Sequence, residues 1–212
     1  MKKQAGFTLI ELAIVLVIIG LLLGGVLKGQ ELINSAKVKN MASDFKNTQV
    51  YIYGYQDKYK ALPGDDIHAD THTGGTVATT GGTVGNGVIQ GAWNSSTQTD
   101  ESYLFWQHVR LANLAPGPTL VTDANYQPRN ADGGLIGVQS VSGFTTITGM
   151  TGAFVICSDG ILGKFAKQLD TTLDDGETST GSLRAVVSGT PGAGVLTSAI
   201  VESTNYTVCL SF

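Results

Sequence analysis

The run Phe7 to Leu27, FTLIELAIVLVIIGLLLGGVL, carries a single charge, Glu11, and only one other polar side chain, Thr8. At a rise of about 1.5 Å per residue such a helix covers ~31 Å, the thickness of a hydrocarbon core. It is too long for the apolar region of a cleaved secretory signal, and no small-x-small cleavage site follows it. The segment reads as a membrane-spanning helix, and that reading makes Glu11 the anomaly. An ionised carboxylate in hydrocarbon is costly and marks a functional position whose partner has to be named. Within the uncleaved span the sequence offers no such partner. The plainer account is that Glu11 favours the positive end of its own helix near the headgroups.

Lys2 and Lys3 favour a cytoplasmic N-terminus with the bulk of the chain on the far side. Lys28, Lys37, Lys39 and Lys46 on the other flank weaken that rule, so charge alone does not settle orientation. After Lys28 there is no turn signal before Leu62-Pro63-Gly64, and Val38, Ala42, Phe45, Ile52 and Tyr59 recur at helical spacing. One helix from about Phe7 to Lys60 is predicted, roughly 80 Å long. Its second half is amphipathic. Tyr51, Tyr53, Tyr55 and Tyr59 fit a half-buried face packed on a sheet, since each has an apolar ring and a polar tip.

Beyond Pro63 the chain changes character. Of its 212 residues, 28 are glycine and only 14% are charged, against roughly 25% in ordinary soluble domains. Residues 69–100 read as a long loop, and Glu101 to Leu114 as a short helix with Leu104, His108, Leu111 and Leu114 on one face. Leu135–Val141, Thr145–Thr148, Phe154–Cys157, Leu183–Val187 and Tyr206–Leu210 read as short strands, with a helix between Leu162 and Leu173. The expected fold class is α+β: a long N-terminal α-helix, membrane-spanning in its first half, packed on an antiparallel β-sheet.

Chemistry is sparse. The formal net charge of −4 and the scattered basic residues give no concentrated patch for nucleic acid. Gly82-x-x-Gly85-x-Gly87 opens no helix and is not a phosphate-binding fingerprint. There is no Gly-x-Ser-x-Gly and no plausible Cys-His pair, so the chain reads as a non-enzyme without cofactors. Asp65, Asp66, His68, Asp70 and His72 read as a solvated acidic turn rather than a zinc site. No metal site is assigned; Asp170, Asp174 and Asp175, with Glu177 nearby, are the calcium candidates held in reserve, their spacing not being that of an EF-hand. Cys157 and Cys209 both follow the apolar segment; if that segment is an anchor they face an oxidising compartment, where a disulfide is the natural state. Two free buried thiols are the alternative.

The leader Met1-Lys2-Lys3-Gln4-Ala5-Gly6, followed by Phe7-Thr8-Leu9-Ile10-Glu11-Leu12 and an apolar helix, resembles the prepilin signal of the type IV pilin and pseudopilin family. The resemblance covers roughly residues 1–60. It implies cleavage after Gly6 by a prepilin peptidase, N-methylation of Phe7, and assembly through an inner-membrane platform into a homo-oligomeric helical filament. It also implies a partner for Glu11: the cationic terminal amine that cleavage creates on Phe7 of a neighbouring subunit. The expected organisation is a leader over 1–6, a transmembrane and filament-core helix over 7–28, and its amphipathic half over 29–60. A loop region with a short helix follows over 61–134, then an antiparallel sheet with a disulfide-closed C-terminal region over 135–212. The expected location is the inner membrane with a periplasmic body, then the extracellular filament. A type IV pilin is favoured; the alternatives are a type II secretion pseudopilin and a membrane-anchored minor pilin or adhesin-like binding module.

Overall fold

The computed structural model describes residues 8–212. The chain divides into two compact units, residues 1–37 and 38–212, and each is described by itself. Helix α1 runs Leu9–Tyr59. In the first unit its side chains are open to the surroundings: Leu9 is 88% exposed and Leu21 73%. Nothing lies within 4 Å of where a Cβ on Gly20, Gly24 or Gly25 would stand. Lys28 and Glu31 form an exposed ion pair at 2.7 Å, a geometry that contributes a few tenths of a kcal/mol at most.

In the second unit α1 buries Val38, Met41, Ala42, Phe45, Thr48, Ile52 and Tyr55. The predicted stripe therefore holds, with Tyr55 replacing Tyr59 as its deep aromatic; Tyr59 is half-buried. The helix stops one residue short of the expected Lys60. Lys60 adopts φ 56°, the left-handed conformation that commonly closes a helix, while its amide still bonds the Gln56 carbonyl. Pro63 then forbids continuation.

Helix α2 is the single turn Ala69–His72, α3 is Glu101–Leu111 and α4 is Gly163–Leu173. Strands β1 (Ile136–Ser140), β2 (Phe154–Leu162), β3 (Leu183–Val187) and β4 (Asn205–Ser211) form one antiparallel sheet in the order β1-β2-β4-β3. On one face Ile136, Val138, Ile156, Leu183, Ala185, Val208 and Leu210 join the α1 side chains, Phe105 and Trp106 of α3 and Phe165 of α4 in the main core. On the other face Val155, Cys157, Val186 and Cys209 pack with Trp93, Ile147 and Met150. Both faces are thus covered, which is why the strands read as continuous apolar runs instead of alternating ones.

Two expectations need correction. Thr145–Thr148 is not a strand: Ile147 makes one isolated bridge to Gly192 and drops its side chain into the smaller core. Helix α3 ends at Leu111 instead of Leu114, and it is buried beyond the face that carries Leu104, His108 and Leu111: every residue from Glu101 to Arg110 is buried. The Asp65 carboxylate accepts backbone amides from Gly85, Asn86 and Gly87, and the Gln90 amide bonds Glu101 Oε2 at 2.7 Å. The segment between α2 and α3 is fastened over the helix by those two carboxylates. The whole is an α+β arrangement of a long helix and an antiparallel sheet, as expected.

Candidate functional site

The processing residues Gly6 and Phe7 lie outside the described residues, so the site begins at Thr8. The Thr8 amide and hydroxyl both donate to Glu11 Oε2 at 2.8 Å, and the Glu11 amide reaches back to Thr8 Oγ1 at 3.3 Å. This is the reciprocal capping box that Thr-x-x-Glu makes at a helix start, satisfying donors that have no partner within the helix. Glu11 therefore has a partner inside its own span, contrary to the sequence reading. The Thr-x-x-Glu spacing is the local sequence signal for this box, its partner a hydroxyl and an amide and not an opposite charge. Both Thr8 bonds fall on one carboxylate oxygen, at the positive end of an exposed apolar helix.

Cys157 and Cys209 are directly opposed on β2 and β4 and joined as a disulfide. Both are fully buried beneath Trp93, Ile147 and Met150. The alternative of two free thiols is closed.

The turn from Asp65 to His72 is not a solvated acidic turn. Asp65 and Asp66 are buried. Asp66 accepts the Tyr55 hydroxyl at 2.8 Å, His72 Nδ1 at 2.7 Å and the His68 amide at 2.9 Å. Burial pushes the Asp66 carboxyl up, but these donors outweigh it and hold it below its usual range. Asp70 and His68 face solvent. A cavity of about 590 Å³ opens here, lined by Tyr59, Lys60, Asp66, His68, His72 and Phe154 among others, with no serine, threonine or cysteine in its wall. By accepting from both His72 and Tyr55, Asp66 fastens α2 to α1.

Asp170, Asp174 and Asp175, separated along the sequence by the last turn of α4, are brought together. One oxygen from each lies within 4.8 Å of the others. Asp170 is fully buried, Asp174 half-buried and Asp175 exposed. Among the described residues neither Asp170 oxygen meets a partner in hydrogen-bond geometry. Burial, then Asp175, Asp174 and Glu177 in turn, push its carboxyl up to about 7; the nearby Gly176 amide tempers the rise without reaching hydrogen-bond geometry. Glu177 is turned elsewhere, its Oε1 accepting the Thr197 amide and the Ser179 hydroxyl.

Residues 1–27 match the family model of the prokaryotic N-terminal methylation motif, the prepilin signal of type IV pilins and pseudopilins. No curated protein and no solved structure matches the chain.

Proposed function

We propose that this chain is a structural subunit that is cleaved after Gly6, methylated at Phe7 and polymerised through its N-terminal helix into a type IV pilus filament. The carrying observation is one of continuity. The methylation motif over residues 1–27 runs directly into a helix whose apolar side chains, from Leu9 to Leu27, have no cover of their own. At roughly 25 cal/mol per Å², that much exposed apolar surface is not sustainable in water and requires lipid or other copies of the same helix. α1 is long and apolar enough to span a membrane near the N-terminus, which supports a single-pass anchor; on this reading the membrane is the inner one and the body lies on its periplasmic side.

Its partners on this reading are the prepilin peptidase, the inner-membrane assembly platform and other copies of itself. Glu11 then serves twice: it caps its own helix through Thr8, and it meets the terminal amine of Phe7 on a neighbour. An ion pair in such surroundings gains little net energy after desolvation, so its value is register, because a subunit displaced by one turn leaves a charge unpaired. A pilin is favoured over a secretion pseudopilin because the body over residues 61–212 is large and carries the long segment between α2 and α3.

The test is direct. Mass spectrometry of the membrane-extracted subunit should show loss of Met1–Gly6 and one added methyl group. Replacing Gly6 with a bulkier residue should retain the leader mass, and electron microscopy of sheared surface fibres should find this chain as their repeating unit. A mature subunit that still carries Met1–Gly6 would refute the reading.

A further inference from the structure

We infer that His68 and His72 form a binding site for one divalent transition-metal ion, zinc or copper(II). The first observation is the spacing of the pair. α2 is a single helical turn, and the His72 amide donates to the His68 carbonyl at 2.8 Å. Four residues apart on one turn, the two side chains are neighbours. Their rings stand edge to face with centroids 5.8 Å apart, and both line the cavity of about 590 Å³. Two imidazoles sharing one tetrahedral ion, each with a metal–nitrogen bond of about 2 Å, have ring centroids ~5 Å apart. A small rotation of the exposed His68 closes the difference.

The second observation is how the pair is held. Asp66 is buried; its Oδ1 accepts the His68 amide at 2.9 Å and its Oδ2 meets His72 Nδ1 at 2.7 Å. One carboxylate thus fixes both ends of the turn. An ionised carboxylate can only accept, so in the neutral ring Nδ1 carries the proton and the lone pair is left on Nε2. A carboxylate behind the imidazole is the arrangement that orients metal-binding histidines and raises their basicity. Tyr59 stacks on His72, with centroids 5.1 Å apart and planes inclined by 19°, so the ring plane is held as well. Among the described residues, His72 Nε2 and both ring nitrogens of His68 make no hydrogen bond.

The surroundings select a cation and its kind. Asp65 and Asp66 are buried in the cavity wall, whereas its lysine, Lys60, is turned to the Asp57 carbonyl and carboxylate at 2.6 and 3.1 Å. Imidazole nitrogen favours zinc and copper(II) over magnesium and calcium, which seek oxygen. The Asp65 carboxylate is occupied by the amides of Gly85, Asn86 and Gly87. The chain therefore supplies two nitrogen ligands, and the remaining positions open on the cavity to water. This is an open site, unlike the closed four-ligand structural kind. Its affinity rests on the orientation that Asp66 and Tyr59 give His72 before any ion arrives.

The experiment uses the full chain in detergent micelles, stripped with EDTA and titrated by calorimetry with ZnCl₂. One ion should bind per chain, and excess CaCl₂ should leave that binding in place. His72→Ala and the exposed His68→Ala should each weaken it by at least about tenfold, the least that losing an outer-shell partner costs. His68→Ala leaves the Asp66–His72 bond intact and keeps the test decisive if His72→Ala does not fold. With CuCl₂ in place of ZnCl₂, electron paramagnetic resonance should show coupling to two imidazole nitrogens in the wild-type chain and to one in His68→Ala. Absence of zinc binding by the wild-type chain overturns the inference, as does displacement of the zinc by calcium. Affinity and copper spectrum unchanged in His68→Ala overturn it equally.

Discussion

The Tyr55 hydroxyl donates to Asp66 Oδ2 at 2.8 Å, both groups being buried. With this bond the second half of α1 grips the loop that follows its own end. The same carboxylate takes His72 and the His68 amide, so one buried charge joins α1, the turn after Pro63 and α2. The Tyr55 ring also stacks near His108 of α3, with centroids 6.0 Å apart. Networks of this kind rigidify a core only while each member keeps its partner.

Tyr55→Phe tests this network. It keeps the ring and deletes the donor, leaving Asp66 with two of its three bonds; the expected cost is about 1–2 kcal/mol by denaturant titration. There is a pH signature too. The Asp66 carboxyl is held below its ordinary value of 3.8 in the folded state, so its contribution is complete above that value and is lost as pH falls through the folded pKa. Removing Tyr55 Oη should move the acid-unfolding limb to higher pH. An unchanged acid limb would show that the bond is incidental.

Glu101 predicts the opposite slope. It is fully buried at the start of α3, with Oε1 lacking a partner among the described residues. Burial pushes its carboxyl up from 4.5 to about 7, partly offset by the Gln90 amide and reinforced by Asp65 and Asp100. Between those values the folded state holds more protons than the unfolded one, so stability falls as pH rises from about 4.5 to 7. Glu101→Gln, which retains an acceptor for the Gln90 amide, should flatten that slope and melt higher than wild type at pH 8. Parallel pH profiles for the two proteins would contradict it.

Much of this fold was legible because its signals are local. The apolar span, the stripe Val38–Ala42–Phe45–Ile52, the Pro63 stop and four of the five strands each lie within a short window. What escaped depends on distant residues. Nothing near Asp65 shows that the amides of Gly85, Asn86 and Gly87 will fold back onto it, so an acidic, glycine-flanked turn reads as solvated. Thr145–Thr148 has strand composition, yet no neighbouring strand offers it a ladder, only Gly192. Asp170 looks like one acidic residue among several, and its burial is set by the packing of α4. The Thr8–Glu11 cap is the exception: its signal is local, but its partner is a hydroxyl and not the opposite charge that a carboxylate in hydrocarbon implies.

The disulfide carries a larger stake. Cys157 and Cys209 are 52 residues apart in sequence and fix the central pair of strands, β2 and β4. In the chain-entropy model a loop of that length contributes about 4 kcal/mol. Replacing both cysteines with serine should lower the denaturation free energy by about that amount and also place hydroxyls against Trp93 and Met150 in the smaller core. Since both sulfurs are buried, reductant should leave the native protein oxidised and act only as it unfolds. Ready reduction under native conditions, followed by mass spectrometry with thiol alkylation, would speak against the packing described.

Glu11 separates its two roles by substitution. Glu11→Ala removes the cap and the charge together, so loss of filaments in that variant is ambiguous. Glu11→Gln keeps a side chain that completes a capping box with Thr8 and removes only the charge. If pairing with a neighbour's Phe7 amine sets register, Glu11→Gln should be cleaved and inserted normally, keep its helix by circular dichroism in micelles, and yet form no filaments or misregistered ones. Glu11→Ala should behave likewise with a further loss of about 1 kcal/mol at the helix start. Normal fibres from Glu11→Gln, with defective ones from Glu11→Ala, would assign Glu11 to the cap alone. The Thr8→Ala variant completes the set: it weakens the cap and spares the charge, so on the pairing account its filaments persist.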